Sequence, residues 1–501
     1  MDLSFLYNSL SYIKPEIAIV ITLLLIVFFD LIFQKNKSII PIIATVGILV
    51  AAILSIGEAS VSASAFKGSN GSFGLFALDP IGTFFKLLVL GTSLFIVYFS
   101  YSSTEIRKIA DRLGEYYALI FGMIVGMMFL ISATDLVLIY LSLELLSLSS
   151  YVLAGFTKLQ SRNSEASIKY VIYGAISSGL MLFGISIVYG LTGTTNLYAI
   201  NSLLQGADIN ILTTTFAGLL IFAGIGYKIS SVPFHFWTPD VYEGSPITIT
   251  AYLAVASKAA GFMMLIRVVR TAFVTYVGTN GHWNMSHAFD WASFLILISI
   301  LTMTFGNLVA IWQDNLKRML AYSSIAHAGY LLLGLVALSN QGVLAIMIYF
   351  LVYAITNLGA FYTVMLVANK IDSEDIHDYN GLGFTSPLIG VSFVIILVSL
   401  TGLPPTAGFI GKLYIFGALV DSHQVVVAVI AIINSVISLY YYMRVVKHMY
   451  LKKATESTPA IPTSFSEKSI LVLLAGAVLI FGIYQQPIID FAQSGLKFLG
   501  F

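Results

Sequence analysis

The chain has 501 residues, of which 58% are hydrophobic and only 10% are charged. Soluble domains contain about 45–50% apolar residues even when glycine is counted, so this composition predicts a polytopic membrane protein. The formal net charge of +1 gives no indication of a nucleic-acid partner, and we expect none. Because the chain has no cysteine, it cannot form disulfides, cysteine-ligated iron–sulfur clusters or a thiol nucleophile.

Apolar windows of about twenty residues predict an all-α fold with about fourteen transmembrane helices. The first window has no basic segment before it and no small-residue cleavage site after it, so we interpret it as a retained helix rather than a signal peptide. The predicted spans cover roughly 15–33, 40–57, 81–100, 116–133, 135–156, 170–191, 212–231, 247–270, 291–311, 319–338, 342–369, 387–420, 424–446 and 469–488.

Basic residues are concentrated in the loops that follow odd-numbered spans. Examples are Arg107, Lys108 and Arg112 after the third span, and Lys317 and Arg318 after the ninth. The positive-inside rule therefore predicts that these loops are cytoplasmic and that both termini lie on the outer face of the membrane.

Proline and glycine interrupt two of the predicted spans. The seventh meets Ser231–Pro233 near its end, and the twelfth contains Gly402–Pro405 near its middle. Interrupted helices at corresponding places of two inverted halves usually mark a transport path. The spacing predicts N-terminal helices at roughly 1–110, a first repeat of helices 4–8 at 111–272, a second, inverted repeat of helices 9–13 at 290–450, and a last helix at 451–501.

Four ionisable side chains lie at membrane depth, namely Glu144, Lys228, Lys258 and Lys412. A charged lysine there costs about 2.5–3.5 kcal/mol on insertion scales, so four such groups predict a relay with protons as its cargo. Glu144 is the predicted partner of Lys228, because each is the lone charge of its span. The alternative is a static ion pair that only fixes helix packing, although it leaves Lys258 and Lys412 without carboxylates.

Two histidines are further candidates for the relay. His235 follows the first proline break, where it either links two lysines or lies in an aromatic belt at the membrane edge. His327 is either a relay member or a core histidine with satisfied hydrogen bonds. Lys86 lies only a turn or two inside the third span, so we predict that its ammonium snorkels to the interface.

Lys412 differs from the other lysines because it follows a double proline on a half-helix. We predict that it is the terminal site, which delivers protons to the outer face. The positive N-terminal end of that half-helix is expected to disfavour a protonated lysine. On the thirteenth span, Tyr440, Tyr441 and Tyr442 either supply hydroxyls to the path or pack as an aromatic stripe, and we expect packing for at least two of them.

Three segments resemble the antiporter-like membrane subunits of respiratory complex I, the type I NADH–quinone oxidoreductase. They are Val232–Pro246, Lys317–His327 and Gly402–Phe409. Within that family, the stretch Tyr242–Pro246, the surroundings of Lys258 and the lysine at position 412 are most similar to subunit N. The resemblance extends from about the third span to the thirteenth.

The resemblance implies fourteen helices with two inverted five-helix repeats and discontinuous helices 7 and 12. The family's glutamate and three lysines fall on Glu144, Lys228, Lys258 and Lys412, and its histidines on His235 and His327. It implies proton movement from the cytoplasm to the outer face of a bacterial inner membrane. It also implies neighbouring complex I membrane subunits as partners, with NADH, flavin, iron–sulfur clusters and quinone bound in other subunits, and no cofactor or metal in this chain.

Two alternative functions are also compatible with these residues. One is a subunit of a multi-subunit cation/proton antiporter, and the other is a purely structural membrane subunit that does not pump. The sequence favours the complex I assignment through the variant Tyr242–Pro246.

Overall fold

The computed structural model describes residues 4–33, 37–67, 74–157, 161–205, 210–454 and 460–499. In these ranges the chain forms the α-helices α1 Ser4–Leu10, α2 Lys14–Ile32, α3 Ile39–Gly57, α4 Pro80–Ser102, α5 Thr104–Arg107, α6 Leu113–Ser132, α7 Leu136–Ala154, α8 Ser161–Thr192, α9 Leu197–Leu203, α10 Ile211–Ile229, α11 Trp237–Gly244, α12 Ile247–Tyr252, α13 Lys258–Phe273, α14 Trp291–Ala310, α15 Leu316–Val336, α16 Asn340–Ile371, α17 Leu382–Thr385, α18 Pro387–Thr401, α19 Ala407–Asp421, α20 Val425–Leu451, α21 Phe465–Ile483 and α22 Gln486–Gly495.

Thirteen helices in the described ranges are long and apolar enough to cross a membrane. The interrupted pair α18–α19 adds a fourteenth predicted crossing, so the prediction of a polytopic helical protein with about fourteen spans is confirmed. Many of these helices begin at a polar residue whose side chain accepts hydrogen bonds from the N–H groups of the first turn. Asp135 accepts hydrogen bonds from the first turn of α7, and Asn315 does the same for α15.

Two small β-hairpins were not predicted and qualify the all-α assignment. The first pairs β1 Ala63–Ala65 with β2 Phe76–Leu78, and the second pairs β3 Val274–Val277 with β4 Trp283–Met285, both antiparallel. Both hairpins lie in the connections between spans, where the hydropathy pattern carries no signal of a strand this short.

The most buried helices are central in sequence as well as in space. The span made by α12 and α13 is completely buried, and α15 and α16 are nearly so. By contrast, α2, α3, α8 and α21 leave most of their surface exposed, with large apolar side chains such as Leu24 and Phe183 outward. The interior helices therefore hold their polar side chains away from the surface that faces lipid.

Both predicted helix breaks are present. Helix α10 ends at Ile229, and the freed N–H of Val232 donates to the Thr302 hydroxyl of α14 at 3.0 Å. Helix α18 ends at Thr401, and the N–H of Gly408 at the start of α19 donates to the Ser399 hydroxyl at 3.0 Å. Backbone groups released by the breaks are thus satisfied inside the bundle, as a membrane interior requires.

Lys86 does not snorkel, so that prediction is wrong. Its ammonium lies 2.7 Å from a carboxylate oxygen of Glu16 on α2, and both side chains are almost fully buried. The hydrophobic pattern of α4 alone carried no sign of this partner, because Glu16 comes 70 residues earlier in the chain. A second buried pair, in which Arg267 of α13 donates twice to Asp79 at 2.9 Å, fixes the start of α4.

Candidate functional site

Lys228 lies in the last turn of α10 and is buried. Its ammonium donates to the Ser147 hydroxyl of α7 at 3.2 Å and forms no ion pair with Glu144. Glu144 lies one helical turn before Ser147 on the same helix. One carboxylate oxygen of Glu144 is buried and accepts no hydrogen bond from the described residues. Glu144, the predicted partner, therefore lies on the same helix as the observed one, but Lys228 is hydrogen-bonded to the Ser147 hydroxyl instead.

The next lysine lies where α13 approaches α10. A Cβ atom at Gly261 would lie 2.9 Å from the side chain of Ile229 and 3.5 Å from Cγ of Lys228, so a larger residue at this position would force the Ile229 side chain to shift. Lys258 is one turn before Gly261, immediately after a π-helical turn at Leu253–Ser257. Such turns are rare and often mark functional positions. The Lys258 ammonium donates to the backbone carbonyl of Ser324 on α15 at 2.8 Å.

His327 is at the centre of a group of hydroxyls. Its Nδ1 lies 2.6 Å from the Tyr349 hydroxyl and its Nε2 lies 3.2 Å from the Tyr442 hydroxyl. Tyr442 also contacts the Ser323 hydroxyl at 2.5 Å. Both ring nitrogens are therefore satisfied, by groups that can each donate and accept a proton. The geometry suits a relay member and a structural core histidine equally.

A second hydroxyl pair connects this group to Lys258. The Ser324 hydroxyl lies 2.8 Å from the hydroxyl of Tyr353, and the Tyr353 ring packs 5.1 Å from that of His327. Lys258 is bound to the carbonyl of the same Ser324. Ser324 and Tyr353 therefore place polar groups between the Lys258 ammonium and the imidazole, without a continuous chain of hydrogen bonds among the described contacts.

Lys412 lies beside the second helix break. Its ammonium donates to the Thr401 carbonyl at 2.7 Å and to the Ser435 hydroxyl at 2.8 Å, and it lies 4.6 Å from the centre of the Tyr330 ring. Thr401 ends α18, so the ammonium sits at the negative, carbonyl end of a helix. The sequence-based expectation was the opposite, namely an unfavourable contact with the positive start of α19.

Gly402 makes this contact possible. It has a φ of +89°, a conformation that favours glycine, and a Cβ atom there would lie 2.7 Å from Cδ of Lys412. The glycine therefore both turns the chain after α18 and leaves room for the lysine stem.

His235 packs among aromatic side chains. Its buried ring packs 4.4 Å from Phe236 and 4.5 Å from Phe305 of α14, measured between ring centres. Its Nδ1 has no hydrogen-bond partner among the described residues. The described contacts of the ring are therefore aromatic, and the place of His235 in the relay stays a prediction.

The three consecutive tyrosines of α20 have three different environments. Tyr440 is mostly exposed, Tyr441 donates to the Asn307 side-chain carbonyl at 3.1 Å, and Tyr442 contacts His327. Only one of the three therefore touches a predicted relay residue.

A polar cavity of about 700 Å³ opens where α5, α8, α11, α15 and the segment after α16 come together. Its lining includes Glu105, Arg162, Glu243, Lys317 and Glu374. Burial raises the pKa of the Glu105 carboxyl above its ordinary value, against the opposing effect of the Lys317 ammonium. All of these groups lie on the side of the bundle that carries the basic loops.

Sequence reasoning missed several members of the network. Tyr349, Tyr353 and Ser435 each contact a predicted site residue. Tyr349 and Tyr353 are four residues apart on α16, and that polar spacing inside a long apolar helix was the available signal. Ser435 carried no comparable signal, because serine is common on packed faces of membrane helices. Ser147 was visible in the sequence, one turn after Glu144, as a hydroxyl that adds hydrogen-bonding capacity to the same face.

Known proteins match this chain over the region that contains the proposed relay residues. The membrane-helix family described as NADH:quinone oxidoreductase/Mrp antiporter matches residues 133–438. The chain belongs to this family. Subunit N 2 of the NADH-quinone oxidoreductase of Chloroherpeton thalassium is 44% identical over 500 residues, which are 99% of this chain and 96% of that protein. The subunit N of Chlorobium chlorochromatii is 42% identical over 501 residues, with 98% and 96% covered.

Membership of this family is also evident in the fold. A chain of respiratory complex I from Thermus thermophilus with bound aureothin superposes with a TM-score of 0.78 and 28% identity. The match covers 95% of this chain and 99% of that one. The family predicted from the motifs Val232–Pro246, Lys317–His327 and Gly402–Phe409 is therefore confirmed. Within the described ranges, no three His, Asp or Glu side chains are grouped as metal ligands.

Proposed function

We propose that this chain is a proton-translocating membrane subunit of a bacterial NADH–quinone oxidoreductase. The observation that carries the proposal is the buried row of proton-exchanging groups in the bundle interior. Lys228, Lys258, His327 and Lys412 are all at most 3% exposed, and hydroxyls or backbone carbonyls bind each of them. The similarity to subunits N over almost the whole chain supports the assignment.

The contacts of Lys228 support a switch along α7. The ammonium is bound to Ser147, and Glu144 offers a free acceptor one turn away. We propose that the lysine moves between these two positions. When it contacts the carboxylate, the protonated form is favoured, and when it returns to the neutral hydroxyl the proton is more easily released.

From Lys258 the proton passes to the hydroxyls around His327. A neutral imidazole accepts a proton on one nitrogen and releases one from the other, so it transfers charge without moving across the bundle. Tyr349 and Tyr442 form hydrogen bonds with the two ring nitrogens of His327 and continue the path on either side of it. Lys412 is then the last carrier, as predicted from its place at the second break.

The cavity beside Glu105 is the proposed site of proton uptake. It is polar, and its rim includes Arg162 and Lys317 in the loops that the positive-inside rule places in the cytoplasm. In this orientation both termini lie on the outer face, and protons move outward across the bacterial inner membrane.

The organisation into two inverted repeats at 111–272 and 290–450 is part of the proposal. It is supported by breaks after α10 and α18, each close to one of the lysines. We further propose that NADH, flavin, iron–sulfur clusters and quinone bind in partner subunits, and that neighbouring antiporter-like subunits contact this chain in the membrane.

Proton uptake by inverted membrane vesicles tests the function. Lys228→Ala and Glu144→Ala are each expected to reduce coupled NADH–quinone turnover strongly while the complex stays assembled. NADH oxidation by an artificial acceptor should persist, because that chemistry needs no membrane relay. Normal pumping by Lys228→Ala would disprove the relay. The family also includes Mrp antiporter subunits. Co-purification with NADH-oxidising, iron–sulfur-containing partners separates the two functions, because an antiporter has none.

A further inference from the structure

A second group of buried charges lies in the first three spans, on helices that carry none of the proposed relay residues. Glu16 on α2 and Lys86 on α4 form an ion pair at 2.7 Å, with side chains that are 1% and 2% exposed. The Lys86 ammonium also lies 4.8 Å from the centre of the Phe76 ring. This pair is electrically neutral and closed to water.

Glu58 is a third ionisable group at the same end of the bundle. It follows the last residue of α3, is 9% exposed, and has both carboxylate oxygens buried. No described residue donates a hydrogen bond to either oxygen. An isolated buried carboxylate is very unfavourable, and such groups normally take up a proton instead.

The two glutamates differ in their position on a helix. Glu16 is in the first turn of α2, where the helix dipole stabilises a negative charge. Glu58 is at the carbonyl end of α3, where the dipole opposes a negative charge. With one buried ammonium for two buried carboxyls, Glu16 is therefore the ionised partner of Lys86 and Glu58 is the group that remains neutral.

We propose that Glu58 is a proton-binding site outside the relay, whose occupancy decides whether Lys86 stays with Glu16. A protonated Glu58 leaves the ion pair undisturbed. An ionised Glu58 competes with Glu16 for the single ammonium and alters the contact between α2 and α4. The ligand is one proton, exchanged from the membrane face at which α2 begins.

The charges that act on Glu58 agree with this assignment. Burial raises the pKa of Glu58 to about 7, with Lys86 and Lys14 acting to lower it and Glu16 acting to raise it. Lys14 is exposed at the start of α2, so water screens much of its effect. Glu58 is therefore poised to change its charge in the physiological range.

Labelling with dicyclohexylcarbodiimide tests the site, because this apolar reagent reacts with protonated carboxyls in dry surroundings. The assembled complex in native membranes is labelled at pH 6 and pH 8, and modified peptides are quantified by mass spectrometry. For a carboxyl of pKa about 7 the protonated fraction is about tenfold larger at pH 6 than at pH 8, and the Glu58 label should fall by about that factor. Glu115, which is exposed and paired with Arg112, is the internal control and should remain unlabelled.

Two variants sharpen the test. Glu58→Gln should lose the label, and Lys86→Met should retain it at pH 8, because the cation that favours the ionised form is gone. Infrared difference spectra between the two pH values should show a protonated-carboxyl band that Glu58→Gln lacks. Equal labelling at both pH values overturns the proposal, as does the absence of both label and band. Protection from the label by sodium at constant pH would assign the site to a metal cation instead.

Discussion

Tyr442 contacts His327 at the centre of the proposed path. Replacing it with phenylalanine should slow proton transfer more than the same substitution at the neighbouring Tyr440 or Tyr441. Tyr442→Phe deletes the hydroxyl that lies 3.2 Å from His327 Nε2 and 2.5 Å from the Ser323 hydroxyl. The ring remains, so helix packing is preserved. Both former partners are left buried without this contact.

The size of the effect follows from the hydrogen bonds lost. Leaving a buried polar group unsatisfied costs about 1–3 kcal/mol. If that penalty appears in the transfer step, the rate falls by about 5- to 150-fold, since each 1.36 kcal/mol is a factor of ten. The measurement is the initial rate of NADH-driven proton uptake by inverted vesicles, normalised to NADH oxidation by an artificial acceptor.

The neighbouring tyrosines provide matched controls on the same helix. Tyr440→Phe removes a hydroxyl from a mostly exposed side chain and should leave uptake unchanged. Tyr441→Phe removes a hydrogen bond to Asn307, so it should reduce the amount of assembled complex more than the rate per complex. Uptake by Tyr442→Phe at the rate of Tyr440→Phe would refute the path through His327.

Three further predictions concern charge at buried positions. Lys258→Arg keeps the positive charge but cannot lose its proton, so a relay predicts turnover as low as that of Lys258→Ala. Turnover restored by arginine would instead indicate a structural role. Lys412→Gln retains a donor for the Thr401 carbonyl yet carries no proton, so the complex should assemble while coupled proton uptake is lost, and uptake at the wild-type rate would show that Lys412 only packs. Asp79→Asn leaves Arg267 as an uncompensated buried charge, at a cost of about 3–5 kcal/mol. Less complex should therefore survive heating, as measured in blue-native gels. The control is Asp30→Asn, whose partner Lys37 is more exposed, and it should behave like the wild type.

The spans and both breaks could be predicted because hydropathy and proline act locally. A window of apolar residues fixes a crossing whatever its neighbours are, and the sequences at Ser231–Pro233 and Gly402–Pro405 end a helix through their own backbone restrictions. For the same reason the buried lysines were visible from the sequence alone. Their interior position is required by the cost of charge in lipid.

The partners of those lysines could not be predicted, because they depend on packing between distant helices. Glu144 and Ser147 lie on one face of α7, and only the approach of α10 decides which of them Lys228 contacts. Likewise, the burial of Lys86 depends on Glu16 of α2. Lys412 binds the end of α18 rather than opposing the start of α19, because Gly402 turns the chain back towards it.

The contacts of the lysines separate carriers from anchors within this one chain. Arg267 and Lys86 are bound by carboxylates, which hold their charge in place. Lys258 and Lys412 are bound by neutral carbonyls and a hydroxyl, which accept a hydrogen bond but stabilise the charged form much less. A carrier must release its proton, so neutral acceptors are the appropriate ligands.

This distinction predicts that a carrier can be converted into an anchor. Ser435→Asp places a carboxylate where the hydroxyl now lies, 2.8 Å from the Lys412 ammonium. Two opposite charges about 4 Å apart attract by about 4 kcal/mol at an effective dielectric constant of 20, which favours the charged lysine by about a thousandfold. The complex should assemble but take up protons far more slowly, whereas Ser435→Asn, of equal size and no charge, should retain most of the rate. Equal uptake by the aspartate and asparagine variants would mean that Lys412 need not release its proton at all, and the path would have to end elsewhere.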